Sequence, residues 1–190
     1  MRHKDEEKRQ AICDAAIALI NANGFADTSM SKIAKAANVS PATLYVYFKN
    51  REHLLSQIYL VVVHEMSDAI IKSVDLRAPV EDACRAIWLG MYDYAVSHFI
   101  RFAFKEQFAN SPLVDPIIKG QAMATYAPFI EVFTRGKAEK VLKDISFDLF
   151  TAFTLAPLVS LLKQHIEGDI VFDRQAAAAT FEIAWDAVAR

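Results

Sequence analysis

Glycine and proline are scarce in this chain, five and six among 190 residues. So few breakers leave long periodic segments intact and favour an all-α fold. Cysteine is scarcer still. Cys13 and Cys84 lie far apart, lack metal-ligand spacing and fall in helix-like segments. They are read as small core residues in a reducing cytoplasm, with a redox sensor as the alternative. No run approaches the roughly 18 uninterrupted apolar residues of a membrane span, and the first residues are charged rather than leader-like, so no membrane partner is expected. Glu-x-x-His pairs, which a helical di-iron site needs, are missing. His53, His64, His98 and His165 are preceded at that spacing by Asn50, Val61, Ala95 and Leu162. There is no Gly-rich phosphate loop and no nucleophile motif. An enzyme is therefore not expected, nor is any metal or cofactor.

What the chain has in excess is apolar surface. Hydrophobic residues make up 54% of it, with 13 Phe among them, above the usual range for a soluble domain. That surface must be buried in a core, a pocket or a partner interface, which points to an oligomer. The net charge of −2 is unevenly placed. Residues 1–51 carry eight Lys/Arg against five Asp/Glu, giving +3, and the remainder carries 13 against 18, giving −5. A basic head on an acidic body suits a polyanion partner for the head, although the imbalance is small.

The first predicted helix runs from about Asp5 to Ala22, with Ile12, Ala15, Ala16, Leu19 and Ile20 as its apolar stripe, and stops at Asn23-Gly24. Arg2, Lys4, Lys8 and Arg9 precede or open it. They are either a solvated terminus or phosphate contacts. The second helix begins at Thr28 or Ser29 as cap, with Lys32 and Lys35 outward. A turn at Asn38-Val39-Ser40 follows, where Asn38 suits a left-handed conformation. Ser40 caps a short third helix, about Pro41 to Phe48, with Pro41 in its first position. At 100° per residue Leu44 and Phe48 point inward, while Ala42 and Val46 lie opposite them, flanked by Thr43, Tyr45 and Lys49. An apolar pair facing away from a core fits thymine methyl groups in a major groove. The alternative is a pair of tolerated surface residues.

A long helix starts near Asn50, so the domain boundary is placed there: residues 1–50 as a DNA-binding domain and 51–190 as a second domain, to which the family resemblance given below assigns ligand binding and dimerisation. Five further helices, Pro79–His98, Ile100–Ala109, Asp115–Arg135, Ser146–Ile166 and Asp173–Ala189, complete about nine, with kinks expected at Pro128 and Pro157. The segment 146–166 is apolar on every side and needs burial on all faces. A partner subunit is expected against it, through Leu158, Leu161, Leu162, Phe181 and Trp185. Among the middle helices, Trp88, Met91, Tyr92, Phe108 and Met123 are candidates to line a pocket for an apolar or aromatic ligand. Tyr126, Phe150 and Phe153 join them, with Gln107, His98, Tyr94 and Thr154 as polar orienting groups. Ordinary core packing is the competing reading for each.

Gly24-Phe25 and the stretch T-S-M-S-K-I-A-K-A-A-N-V-S-P-A-T-L-Y-V-Y-F-K-N-R at 28–51 resemble the tetracycline-repressor (TetR) family of bacterial one-component regulators. The likeness rests on Ile33-Ala34, Ala37, Val39-Ser40, Thr43-Leu44-Tyr45, Tyr47-Phe48, Glu52 and Leu54, and covers about the first 55 residues. Asn38 stands where the family usually has Gly, and Val46 where an aromatic or His is common. The resemblance implies a homodimer, a ligand pocket in the second domain, and repression of a double-stranded DNA operator that a small-molecule effector relieves. By position it implies groove contacts from Ser31, Ser40, Pro41, Ala42, Thr43 and Tyr45, and phosphate contacts from Tyr47 and Lys49. A helical ligand-binding or interaction protein without operator binding is the rival.

Overall fold

The computed structural model describes residues 2–190, with side chains from Asp5 onward. The side chains of Arg2 and Lys4 thus lie outside the described residues. Among the described residues the chain is all-α, with eleven helices. These are α1 (Arg2–Asn23), α2 (Met30–Ala36), α3 (Pro41–Tyr47), α4 (Arg51–Ile71), α5 (Val80–Ser97) and α6 (Phe99–Ala109), then α7 (Pro116–Thr125), α8 (Ala127–Ala138), α9 (Phe147–Phe153), α10 (Leu155–Glu167) and α11 (Arg174–Val188). The count exceeds nine because two expected long helices are each interrupted before a proline. Pro128 has no N–H to offer the carbonyl of Ala124, and Pro157 none for Phe153. The breaks fall at Tyr126 and at Thr154, whose φ and ψ are −107° and −75°. The expected kinks are full interruptions.

The helices group into two compact units. One comprises the chain up to Val63 with Ile100–Gln121; the other comprises His64–Phe99 with Ala122–Arg190. Helix α4 contributes to both. In the first unit, α1 buries Ile12, Ala16, Ile17 and Ile20 with Ile33 and Ala34 of α2, Leu44 of α3 and Phe48 just past its end, and Leu54, Leu55 and Ile58 of α4. Helix α6 belongs to this core. Phe104 and Phe108 stack with centroids 5.9 Å apart, Phe25 lies against both rings, and Tyr59 sits 5.2 Å from Phe108. The Asn21 amide donates to the Ile100 carbonyl at 2.7 Å.

In the second unit α5 is central and packs against α8, α10 and α11. Trp88 is fully buried, its indole N–H donating to the Ala177 carbonyl at 2.8 Å and its ring edge-on to Phe181. Tyr92 donates to the Phe172 carbonyl at 3.1 Å. The loop after α8 is zipped to the chain end, with Lys143 N–H donating to the Val188 carbonyl and Arg190 N–H to that of Val141, both at 2.9 Å. Cys13 is buried and Cys84 partly buried, both as thiols rather than disulfides. Burial pushes the Cys84 thiol up to about 12, against the opposing pull of Arg135. A thiol held neutral is a poor nucleophile, which speaks against redox sensing.

By length and composition, Arg51–Ile71 and Phe147–Glu167 could each cross a membrane. The first is covered along much of its length by its own chain, whereas the second is broken at Thr154 and leaves most of its surface open.

Candidate nucleic-acid interface

Helix α1 ends where Gly24 adopts φ +76°, its N–H donating to the Ile20 carbonyl at 2.7 Å. Thr28 is buried and donates its hydroxyl to the Gly24 carbonyl, fixing the loop into α2. Ser29 then caps α2, its Oγ accepting from the Lys32 N–H at 3.3 Å. Asn38 takes φ +54°, which reverses the chain. Val39 N–H donates to the Ala34 carbonyl and Asn38 N–H to that of Lys35, at 3.0 and 3.2 Å, so the exposed carbonyls at the helix end are satisfied. Ser40 caps α3: its Oγ accepts from the Thr43 N–H at 3.1 Å and lies 2.9 Å from Thr43 Oγ1. Pro41 occupies the first helical position without wasting a donor.

These local devices leave α3 one rotational setting. Leu44 and Phe48 are buried to 0% and 1% exposure, so the opposite side faces outward, with Tyr45 55% and Val46 79% exposed. Ser31, Ser40, Pro41, Ala42 and Lys49 are also exposed, and Thr43 and Tyr47 half-buried. The nine residues expected to touch DNA therefore all reach the surface, on α2, α3 and the turns beside them. A helix-turn-helix with an outward row of small, hydroxyl and aromatic side chains is built to enter a major groove. Two features were not legible in the sequence. Lys32 Nζ donates to the Asp27 carbonyl at 2.7 Å, tying that lysine to the preceding loop. The Tyr47 hydroxyl donates to the Asp5 carboxylate, 42 residues upstream.

Arg51 opens α4 and donates to the Phe25 carbonyl, while Asn50 Oδ1 accepts from the His53 N–H at 2.8 Å. The helix-turn-helix is thus hydrogen-bonded at both its entry loop and its exit.

The candidate ligand residues divide between the units. Gln107 and Phe108 belong to the first, Phe108 fully buried among aromatic rings and Gln107 exposed. The rest belong to the second. There Trp88 and Tyr92 spend their polar atoms on backbone carbonyls and Met91 is buried. Phe150 packs on Phe133 and Phe147, and Tyr126 on Phe129. Met123 and Phe153 are exposed at 48% and 55%. Of the polar candidates, Thr154 donates to the Phe150 carbonyl one turn back, and Tyr94 stacks on His98 at 4.7 Å.

The residues expected at a subunit interface are mostly spent inside the chain. Leu158, Leu162, Phe181 and Trp185 are buried, and only Leu161 is half-exposed. A helix apolar all round does not reveal which of its faces meets its own chain. The apolar surface these helices leave open is carried by Leu149, Phe153 and Ile183 instead, with Ala152, Ala156 and Pro157 beside them.

The all-α architecture and its capped, outward-facing third helix define a helix-turn-helix regulator. Comparison with known proteins narrows the class. The model of the bacterial regulatory proteins of the tetR family matches residues 12–58, and that of the tetracyclin repressor-like C-terminal domain matches residues 79–189. A TetR family transcription regulator from Marinobacter aquaeolei VT8 superposes with a TM-score of 0.93 at 30% identity, covering 100% of this chain and 99% of that one. An HTH-type transcriptional regulator of Haemophilus influenzae is 23% identical over 188 residues, 99% of each chain. The fatty acid metabolism regulator protein of Bacillus subtilis is 44% identical over 52 residues, 27% of each chain. The chain belongs to the TetR family of helix-turn-helix transcriptional regulators.

Proposed function

We propose that this regulator is a repressor that binds a palindromic operator as a homodimer and is released by a small apolar or aromatic effector. The observation that carries the DNA-binding part is the exposed face of α3, where Ala42, Tyr45 and Val46 point outward while Leu44 and Phe48 fix the helix from behind. In this reading Ser31, Ser40, Pro41, Ala42, Thr43, Tyr45 and Val46 face the groove, and Tyr47 and Lys49 meet phosphates. Residues 1–50 serve DNA and 51–190 serve effector and partner.

Dimerisation is supported by the open apolar surface of α9 to α11, where Leu149, Phe153 and Ile183 are 49%, 55% and 72% exposed. A second copy covering that surface would also account for the mostly open, apolar 147–167 segment without a membrane. Two recognition helices must then sit about one DNA turn apart, roughly 34 Å, or a multiple of it. An effector that changes this spacing by a few Å lowers affinity, because it favours a state that cannot engage both half-sites.

The test is a mobility shift on DNA selected from a random pool by the intact protein. A palindromic consensus bound with a steep salt dependence is expected, together with release by an apolar or aromatic compound shown separately to bind. Recovery of no consensus would leave a helical ligand-binding protein as the better description. A consensus whose affinity no bound compound alters would remove the effector part.

A further inference from the structure

The last residue of α3 is tied to the start of α1 by a contact that DNA binding does not call for. Tyr47 donates its hydroxyl proton to Asp5 Oδ1. A phenol has one proton to donate. While Asp5 accepts it, Tyr47 has none for a phosphate oxygen. On the reading that Tyr47 meets a phosphate, the carboxylate would stand beside that phosphate, and two anions there repel each other. Asp5 is exposed and Tyr47 only half-buried, so the pair sits on the surface, where a polyanion could displace the carboxylate. The contact has an electrostatic signature: the hydrogen bond to Asp5, with smaller contributions from burial and the carboxylate's charge, raises the Tyr47 pKa.

We propose that Asp5 is an intramolecular stand-in for a DNA phosphate, a latch that occupies the Tyr47 hydroxyl in the free protein and must release it on DNA binding. The latch rests on the reading of α3 as the DNA-binding helix. Its effect is a uniform reduction of affinity, independent of sequence, because phosphate contacts carry no base information. Anything that holds the first turn of α1 against or away from α3 then changes DNA affinity without touching the groove-facing residues.

The experiment measures affinity for the selected consensus DNA by fluorescence anisotropy, at one salt concentration, in the intact protein. Asp5→Ala is made in the wild-type and in the Tyr47→Phe backgrounds, with far-UV circular dichroism showing that each variant keeps its helices. Asp5→Ala is expected to tighten binding about threefold to tenfold, the net size of one solvent-exposed hydrogen bond, and equally on consensus and scrambled DNA. In the Tyr47→Phe background the gain should shrink to about twofold or less, the part due to removing a negative charge. Asp5→Asn, which keeps the size but not the charge, should fall between. Weaker or unchanged binding by Asp5→Ala would make Asp5 a positioning residue or a bystander and overturn the latch. An equal gain in both backgrounds would reduce it to charge removal and overturn it as well. If the wild-type protein selects no DNA, the DNA-binding reading itself fails and the latch with it.

Discussion

The guanidinium of Arg101 on α6 lies 2.7 Å from the carboxylate of Asp14 on α1. The same two helices are joined by the Asn21 amide on the Ile100 carbonyl. Helix α6 therefore belongs with the DNA-binding helices mechanically as well as by packing. Asp14 is about half exposed, so the ion pair itself is screened. A double-mutant cycle with Arg101→Ala and Asp14→Ala, read by urea denaturation, should give a coupling of about 1 kcal/mol or less. The coupling should fall as salt is raised. A coupling above about 2 kcal/mol that salt does not reduce would mean the pair is far less solvated than its exposure indicates.

Gly136 in α8 is a tighter constraint. A Cβ built there would meet Leu142 Cδ1 at 2.7 Å and Val80 Cγ1 at 2.8 Å. Both neighbours are buried, at 1% and 2% exposure, and have little room to retreat. Gly136→Ala should gain helix propensity yet lose about 1–3 kcal/mol through overpacking. The urea midpoint should drop with an unchanged slope. Adding Leu142→Ala should recover part of the overpacking cost, although it carries a cavity cost of its own. A single variant as stable as the parent would mean that α8 shifts freely.

The parts of this structure that were legible in the sequence are local. Ser29, Asn38, Ser40 and Pro41 each act on groups within five residues, through caps, a left-handed turn and a fixed φ, so their order along the chain specifies the helix-turn-helix. Leu44 and Phe48 are four residues apart, and their shared burial followed from that spacing even though the helix ends at Tyr47 and Phe48 is its extended cap. The second unit resisted for the opposite reason. Trp88 and Tyr92 look like pocket-lining aromatics until their partners, Ala177 and Phe172, are known, and those lie 89 and 80 residues away. In α9 to α11, periodicity identified apolar faces but not their neighbours, so buried Leu158 and Phe181 were indistinguishable from exposed Phe153 and Ile183. Pro128 and Pro157 signalled disruption, and only the backbone tells a kink from a break.

On the proposed reading, Val46 and Tyr47 are adjacent residues with different tasks. Val46, 79% exposed, would meet a thymine methyl, whereas Tyr47 would meet a phosphate. Val46→Ala should relax preference at a particular thymine by about 1 kcal/mol while leaving other positions alone. Tyr47→Phe should weaken binding to all sequences alike. Selecting consensus DNA with each variant checks both. An unchanged sequence logo for Val46→Ala would mean that the valine reads nothing.

Cys84 offers a pH dependence whose sign is fixed. Burial raises its thiol from the ordinary value of 9.0 to about 12 in the folded chain. Between those values the unfolded chain has lost the proton and the folded chain keeps it, so the unfolded state binds fewer protons and stability falls as pH rises. The contribution is fully present below pH 9.0 and is lost progressively toward about 12. Other groups titrate in the same window, so the informative quantity is the difference between the parent and Cys84→Ala. Over that range the parent should lose stability faster, by up to about 1.4 kcal/mol per pH unit. The same burial predicts slow alkylation of Cys84 near neutral pH in the native state, accelerating on unfolding. Parallel stability profiles together with rapid native-state alkylation would show a thiol open to solvent and ionised at its ordinary pKa, and would reopen the case for redox sensing.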